Sequence, residues 1–260
     1  MKLDELDRAL TSMLQAVSQS AEEWKSVSQA ISTLIEEASF EATPEGLNLR
    51  AMDPSHIALV DLKWPAASFE KYACDQNHTL TVRVEDLLKV MRRAEGKDKV
   101  ELRLGEESML EFKLFDGYER EFQVHLVETT YSQTPLPKVS FNVQCKMTTR
   151  ILRKVLSDVQ TISDHITLKA EEGKLVFLGK SEVGKASVTL KKDNPDILQL
   201  DVKEGGESTY SIEYLSNFAK SVSNAETVNI GFSAKMPIKM EFPLSEQGAT
   251  IQFYLAPRVD

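Results

Sequence analysis

The same sequence pattern occurs twice in this chain, and this internal repeat limits the possible folds more than any other feature. An offset of 128 residues carries 84–92 onto 212–220 with the apolar positions in register, and 100–104 onto 228–232 without a gap. Solenoid repeats have periods of tens of residues, so a period this long predicts two domains of one fold in tandem. A chain of this kind is expected to use a functional surface that is repeated with approximate symmetry.

Length and composition agree with two globular domains. The 260 residues suffice for two domains with separate cores, and 42% hydrophobic with 27% charged residues is typical of a soluble protein. No apolar run approaches the roughly 20 residues of a membrane span, and the acidic N-terminal segment lacks the apolar stretch of a secretory signal. Cys74 and Cys145 are far apart without a CxxC motif, which favours two ordinary thiols in a reducing compartment.

Hydrophobic periodicity divides each half into two helices and many short strands. Trp24, Val27 and Ile31 have the spacing of one helical face. The predicted helices cover 21–38, 85–93, 147–160 and 213–222. The predicted strands cover 13–17, 47–49, 57–62, 100–104, 109–115, 119–126, 165–170, 174–178, 186–190, 197–202, 228–232, 238–242 and 250–255. This content predicts an α+β fold with helices on one face of antiparallel sheets.

The repeat also sets the domain boundaries. We predict an N-terminal extension over 1–12, a first domain over 13–127, a linker over 128–137 and a second domain over 138–260. The linker contains no glycine and ends in Pro135-Leu136-Pro137, which favours extended geometry and some stiffness.

Catalytic motifs are missing from the sequence. Gly179-Lys180-Ser181 resembles the end of a phosphate loop, but the nearest upstream glycine is Gly173 and the residues between them favour a strand. The four histidines are scattered, and none lies at metal-ligand spacing from cysteines or carboxylates. The sequence therefore predicts a protein without a catalytic site, metal or cofactor.

Positive charge is concentrated on the helices of an acidic chain. The net charge of −9 and pI near 5.2 argue against a nucleic-acid partner unless the basic residues are segregated. The segment 146–160 carries four cations and one acid, and 85–93 carries three cations opposite apolar residues. Cationic faces at related positions of both repeats indicate one basic surface that holds phosphates without reading sequence.

Two alternating segments look like sheet edges of opposite charge. The segment 119–124 carries Glu119 and Glu121, whereas 185–192 carries Lys185, Lys191 and Lys192. Bare edge strands tend to pair with other chains. Two different edges imply a head-to-tail contact, which forms a ring when the rotation closes.

The segment 46–60, GLNLRAMDPSHIALV, and the tail 253–259, FYLAPRV, carry a resemblance to a known family. Together with Glu23-Trp24-Lys25 and Met236-Pro237 they resemble the PCNA-type DNA sliding clamps, and the archaeal members most. The resemblance covers about residues 13–260. It implies a non-enzymatic processivity factor made of tandem clamp domains, in which three subunits form a ring with sheets outside and helices lining the bore.

The resemblance also assigns roles to particular residues. The residues expected to face DNA are Lys25, Lys89, Arg92, Arg93, Lys146, Arg150, Arg153, Lys154 and Lys220. The residues expected to form a pocket for partner peptides are Met52, His56, Ile57, Leu136, Pro137, Pro237, Tyr254, Leu255, Ala256 and Pro257. The residues expected at the subunit interface are Glu119, Glu121, Phe122, Val124, Lys185, Val188, Leu190 and Lys191.

The implied partners are double-stranded DNA, a clamp loader, other copies of the chain, and DNA polymerase, flap endonuclease and ligase through short hydrophobic peptides. No membrane partner is expected. The protein would act in the cytoplasm on the nucleoid if it is archaeal and in the nucleus if it is eukaryotic. Two alternatives stay open: a subunit of a heteromeric or checkpoint-type clamp, and a duplicated-domain enzyme without a recognisable active site.

Overall fold

The computed structural model describes residues 13–105, 108–128 and 134–258. The extension predicted over 1–12 and the linker residues 129–133 lie outside the described residues. The helices are α1 (Ala21–Ile31), α2 (Val84–Met91), α3 (Thr149–Gln160) and α4 (Ile212–Ser221). The strands of the first half are β1 (Leu14–Ser18), β2 (Glu37–Thr43), β3 (Gly46–Met52), β4 (Ala58–Pro65), β5 (Lys71–Cys74), β6 (His78–Arg83), β7 (Lys99–Leu104), β8 (Met109–Phe115) and β9 (Glu119–His125). The strands of the second half are β10 (Val143–Thr148), β11 (His165–Glu171), β12 (Lys174–Lys180), β13 (Lys185–Lys191), β14 (Ile197–Val202), β15 (Gly206–Ser211), β16 (Thr227–Phe232), β17 (Ile238–Pro243) and β18 (Thr250–Leu255).

The strands of the described residues form three antiparallel sheets. The outer two have the orders β5-β1-β7-β8-β9 and β13-β12-β11-β15. Between them lies a nine-stranded sheet with the order β14-β10-β16-β17-β18-β4-β3-β2-β6. This sheet crosses from one half of the chain to the other where β18 pairs with β4. The two halves are therefore joined by backbone hydrogen bonds as well as by the linker.

The duplication is confirmed element by element. Helices α1 and α3 begin at Ala21 and Thr149, α2 and α4 begin at Val84 and Ile212, and β7 and β16 begin 128 residues apart. Because these helices and strands recur at a spacing of 128 residues, each half is the predicted α+β unit of two helices over antiparallel strands.

Aromatic contacts hold helices on sheets in both halves. In the first half, Trp24 of α1 lies 4.8 Å from Trp64 and 5.7 Å from Phe112, measured between ring centroids. In the second half, Phe218 of α4 stacks on Phe253 of β18 at 4.2 Å. All five of these side chains are almost completely buried, so each contributes about 1.5–3 kcal/mol or more of burial free energy.

The predicted first helix was too long. It ends at Ile31 instead of continuing to residue 38, and a strand that the periodicity missed begins at Glu37. The Ser32 hydroxyl donates to the Gln29 carbonyl at 2.7 Å and the Thr33 hydroxyl donates to Ala30 at 2.7 Å. Side chains of this type compete for the carbonyls that continue a helix. Leu34 is still buried, because the turn keeps it on the core side.

The other differences concern strands. The apolar run from 57 predicted a strand starting at Ile57, but β4 starts at Ala58 and Ile57 belongs to an exposed loop. The sequence did not indicate β5, β6 or β15, which are short or polar, and it missed β10, whose last two residues were assigned to the following helix. Both cysteines are free, and burial raises the pKa of the Cys145 thiol to about 12. No helix in the described part of the chain is long and apolar enough to cross a membrane.

Candidate functional site

The helices bring several of the predicted cations to one face of the molecule. Lys25 of α1, Arg92 at the end of α2 and Lys220 of α4 line one open cleft of about 580 Å³. The cleft spans the junction of the two halves, where the Ser26 hydroxyl donates to the Asn224 side-chain oxygen at 2.6 Å. Cations from both repeats therefore share one surface, which we name the helical face.

The remaining predicted cations differ in whether they form ion pairs with acidic side chains. Lys154 and Arg93 are exposed. Lys89 forms ion pairs with Asp86 at 2.9 Å and Glu85 at 3.6 Å, and Arg150 pairs with Asp196 at 2.7 Å. The exposed pairs of Lys89 are weak, so this side chain can exchange its partners for a phosphate. Arg150 is held more firmly, because it contacts both carboxylate oxygens of the largely buried Asp196.

Arg153 has a structural role that the sequence did not reveal. Its guanidinium donates to the backbone carbonyls of Ala219 at 2.7 Å and Val222 at 3.0 Å, at the C-terminal end of α4. Carbonyls at a helix end lack intrahelical donors and favour a cation. Burial lowers the pKa of Arg153. Arg153 thus joins α3 to α4, and it is not a free phosphate ligand like Lys154.

Lys146 was expected to face DNA together with the cations of the helix that follows it, and this placement was wrong. Lys146 lies on β10, before the helix begins. Its neighbours Cys145 and Met147 point into the core beneath the helices, so the alternation of a strand turns Lys146 to the opposite, outer face of the sheet. There it lies among Gln144, Gln199 and Asn229.

The outer face of the nine-stranded sheet carries an apolar patch where the two halves meet. Met52 is paired in register with Leu59, and Leu59 is paired with Tyr254 across the β18·β4 junction. Leu59 is 2% exposed and Tyr254 9%, although neither belongs to the core cluster on the helical side. Burial raises the pKa of Tyr254. We name Met52, Leu59, Tyr254 and the adjacent Ile57 the junction pocket.

Leu59 was missed by the sequence analysis. Residues 58–62 are all buried, so they lack the alternation that distinguishes one face of a strand from the other. Leu255 was predicted to line the pocket, but its side chain is 1% exposed and belongs to the core on the helical side. It contributes backbone pairing to the junction and not side-chain surface.

The other predicted pocket residues surround this patch. His56 and Ile57 are exposed on the loop 53–57, and the backbone N–H of Ala256 donates to the Ile57 carbonyl at 2.8 Å. Pairing of Ile238 with Leu255 brings Pro237 beside Ala256, and Pro257 follows half-buried. The end of the linker is tied to β3, because the Arg50 guanidinium donates to the Thr134 carbonyl at 3.3 Å. Leu136 and Pro137 follow, both half-buried.

Strands β9 and β13 are terminal in their sheets, as the alternating charged segments predicted. They have the same burial pattern, with exposed polar residues alternating with partly buried apolar ones. Phe122 of β9 and Val188 of β13 are half-buried, whereas Val124 and Leu190 are buried. Glu119 and Glu121 are exposed on one edge, and Lys185 and Lys191 on the other. Within the chain, Glu119 pairs with Lys113 at 2.7 Å.

The structure brings no catalytic constellation together among the described residues. No group of three or more His, Cys, Asp or Glu side chains in the described ranges could hold a metal ion. Gly179 and Lys180, the end of the apparent phosphate loop, lie on β12. A side chain at Gly179 would contact Val159 of α3 at 2.6 Å, so this glycine permits close packing of the helix on the strand.

Duplicated α+β domains, a cationic helical face, an apolar junction pocket and two unlike sheet edges are the features that the resemblance to ring-forming DNA clamps implies. Comparison with known proteins agrees. The N-terminal domain model of proliferating cell nuclear antigen matches residues 13–129, and the C-terminal domain model matches residues 135–258.

Individual relatives are archaeal. The chain is similar to a DNA polymerase sliding clamp of Cenarchaeum symbiosum, with 40% identity over 240 residues that cover 92% of this chain and 96% of the relative. Its structure is similar to that of PCNA from Thermococcus kodakaraensis, with a TM-score of 0.90, 27% identity and coverage of 94% and 100%. It is also similar to a chain of the PCNA2–PCNA3 complex from Sulfolobus tokodaii, with a TM-score of 0.87, 28% identity and coverage of 94% and 99%.

The chain belongs to the proliferating cell nuclear antigen family. It is accordingly a DNA sliding clamp, a processivity factor and not an enzyme. Clamps of this family encircle DNA as multimeric rings.

Proposed function

We propose that three copies of this chain close into a ring that encircles duplex DNA and holds replication and repair enzymes on it. The observation that carries the proposal is the internal junction, at which β18 of one half pairs with β4 of the other. The counterparts of these two strands are β9 and β13, which are terminal in their own sheets. Pairing of β9 with β13 of a neighbouring copy would repeat the internal junction between subunits, and a ring of three is typical of the family.

Strand register identifies the counterparts. Phe122 of β9 is paired with Phe112, and Phe253 of β18 is paired with Met240. Phe112 and Met240 are 128 residues apart, so they occupy equivalent positions in the two halves. In the same way, Val188 of β13 is paired with Phe177, and Leu62 of β4 is paired with Leu49. Phe177 and Leu49 are also 128 residues apart. Phe122 therefore corresponds to Phe253, and Val188 corresponds to Leu62.

The internal junction then predicts the register between subunits. Phe253 faces Val60 inside the chain, and the counterpart of Val60 is Ala186. We expect Phe122 to face Ala186 of the neighbouring copy and Glu121 to face Ser187. Glu119 and Glu121 would then lie diagonally across from Lys191 and Lys185, within reach of long side chains.

The helical face supports the proposal that DNA passes through the ring. Cations from α1, α2, α3 and α4 would contact phosphates in the bore, without aromatic side chains for base stacking. The −9 net charge leaves the rest of the surface repulsive to DNA. Such a surface favours a ring that is retained by topology and slides freely.

The junction pocket supports docking of short hydrophobic peptides from DNA polymerase, flap endonuclease and ligase, and a clamp loader would place the ring on DNA. Met52 adapts its shape to aromatic side chains. Two aromatic side chains would bury about 150–250 Å² each, roughly 8–12 kcal/mol of gross burial free energy. Ordering the peptide offsets several kcal/mol, which leaves an affinity on the order of micromolar. Exchange of partners on one clamp, acting on the nucleoid of an archaeal cell, suits that affinity.

Sedimentation and disulfide cross-linking test the ring. The chain alone should sediment near 88 kDa, three times its 29.2 kDa. Glu121→Cys combined with Ser187→Cys should give a covalent trimer on oxidation, because directly opposed Cβ atoms are about 4.5–5.5 Å apart. Glu121→Cys with Thr189→Cys is the matched control, in which the greater separation prevents the bond. A monomer at micromolar concentration would refute the ring of three identical copies, and equal cross-linking of both pairs would refute the proposed register of the junction.

A heteromeric ring is the second candidate, because one of the similar structures is a complex of two different clamp subunits. In that case the purified chain would sediment as a monomer and would form a ring only when the other subunits are added.

A further inference from the structure

Asp53 is a buried carboxylate at the base of the loop that presents Ile57 to the junction pocket. It is 3% exposed. Its Oδ1 accepts hydrogen bonds from the backbone N–H groups of Ile57 at 2.9 Å and Ala58 at 2.7 Å, and Oδ2 accepts one from Ser55 at 3.2 Å. One side chain thus binds the backbone N–H groups of three residues, Ser55, Ile57 and Ala58, and so fixes the loop.

A further donor to Asp53 comes from the other half of the molecule. The hydroxyl of Tyr214, on α4, donates to Asp53 Oδ2 at 3.2 Å. The tyrosine ring contacts Phe218 edge-on at 6.0 Å, and Phe218 stacks on Phe253, the residue before Tyr254 of the pocket. This chain of aromatic contacts orients Tyr214 toward the loop. Burial, and then the Asp53 carboxylate, raise the pKa of Tyr214, so the hydroxyl keeps its proton at neutral pH.

The loop needs this support, because its conformation is unfavourable by itself. His56 has a φ of 59°, in the left-handed region that residues with a side chain rarely adopt. Such a residue persists where the surrounding structure determines it through other contacts. Ile57 is 41% exposed, so packing does not hold it in place. Ile57 is held in place by its hydrogen bond to Asp53 and by the one that the Ala256 N–H donates to the Ile57 carbonyl.

We infer that Asp53 and Tyr214 are positioning residues for the junction pocket, and that their hydrogen bond makes the placement of Ile57 depend on helix α4 of the second domain. The inference rests on the proposed peptide docking. Neither residue needs to contact the peptide. Their role is to hold the docking loop in its bound conformation before the peptide arrives, which lowers the entropy cost of binding.

Calorimetry with a QxxLxxFF-type peptide tests the inference on the full-length protein. Tyr214→Phe removes one hydroxyl without changing shape, and we expect affinity to fall about fivefold, the size of the net contribution of one ordinary hydrogen bond. Asp53→Asn should weaken binding at least as much. Because both variants break the same link, the double variant should bind like Asp53→Asn alone and not with the product of the two losses.

Two further variants separate the possible failures. Tyr72→Phe is the matched control, because it also removes a hydrogen bond donated by a tyrosine hydroxyl, in this case to the backbone carbonyl of Thr43 at 2.7 Å, far from the Asp53 loop. It should leave peptide affinity unchanged. Ile57→Glu should abolish binding, and peptide binding by that variant would refute the pocket itself. If Ile57→Glu abolishes binding while Tyr214→Phe binds like the parent, or while the two losses multiply, only the positioning role is refuted.

Discussion

Strands β18 and β4, which pair inside the chain, and strands β9 and β13, which are terminal in their sheets, are equivalent elements of the two halves. They differ in whether the pairing partner is present within the chain. At the internal junction the two strands are paired, and Phe253 and Val60 are buried where the halves meet. On the terminal strand β9, the counterpart Phe122 is only half-buried. Duplication therefore produced a chain whose two halves are already joined as we propose that neighbouring subunits are joined.

The outer faces of the two junctions differ, and the difference concerns partner docking. The internal junction carries the row Met52, Leu59, Tyr254 and Lys239. Their counterparts at the subunit junction are Lys180, Lys185, Gln123 and Glu111, which are polar or charged. An apolar peptide side chain can be buried in the first row and not in the second. A ring with six such junctions should therefore have docking pockets at only the three internal ones.

The largest effect is expected when the equivalent phenylalanine of each junction is replaced by aspartate in two separate variants. Phe253→Asp places a charge in a fully buried site and should unfold the chain, at a cost of about 4 kcal/mol or more. Phe122→Asp should leave each subunit folded but split the ring into monomers, because Phe122 completes its burial only against a neighbour. Sedimentation and thermal melting distinguish the two results. A folded Phe253→Asp variant, or an intact Phe122→Asp ring, would contradict the equivalence.

Exchanging one residue between the two outer rows tests the docking difference. Tyr254→Gln introduces the residue of the subunit junction and should weaken peptide binding at least tenfold, because a buried aromatic surface is lost. Gln123→Tyr, the reciprocal change, should neither weaken binding nor create a second site. Calorimetric stoichiometry and affinity measure both. A Tyr254→Gln variant with parental affinity would place the pocket elsewhere.

The helical faces of the two halves offer a smaller, graded effect. Charge reversal of Arg92, Lys154 and Lys220 should weaken retention on circular DNA and reduce the salt slope of binding by about one for each phosphate contact that is lost. Arg153→Glu should instead lower the melting temperature, because Arg153 bonds to the end of α4. If Arg153→Glu changes the salt slope without changing stability, the distinction between these cations is wrong.

The smallest effect concerns Glu23, whose counterpart in the second half is Ile151. Burial raises the pKa of Glu23 from 4.5 to about 7. A raised pKa means that the folded state holds the proton more tightly, so stability is full below pH 4.5 and is lost as the pH rises toward 7. Because Glu23 remains partly in water, screening reduces the loss to about 1 kcal/mol. Glu23→Gln should therefore melt higher than the parent at pH 8.

The two proteins should melt at nearly the same temperature at pH 4.5, where both carry an uncharged side chain at this position. A difference of the same size at both pH values would exclude ionisation of Glu23 as the cause.

The sequence by itself determined the duplication, the α+β class, the family and the two charged edges. These features depend on local periodicity and on spacing along the chain, which can be read from Val84 and Ile212 or from the alternation of 119–124. It could not decide where the first helix ends, because helical spacing continues through Leu34 while Ser32 and Thr33 take the carbonyls. Local patterns record which residues are apolar but not which hydrogen bonds compete for the backbone.

Only the tertiary structure decided which side chains share a surface. It assigned Leu59 to the junction pocket and Leu255 to the core, since side-chain direction depends on strand register. It turned Lys146 to the outer face, committed Arg153 to the end of α4, and brought Tyr214 to Asp53 across 161 residues. These contacts join residues far apart in sequence, so they depend on how the two domains pack.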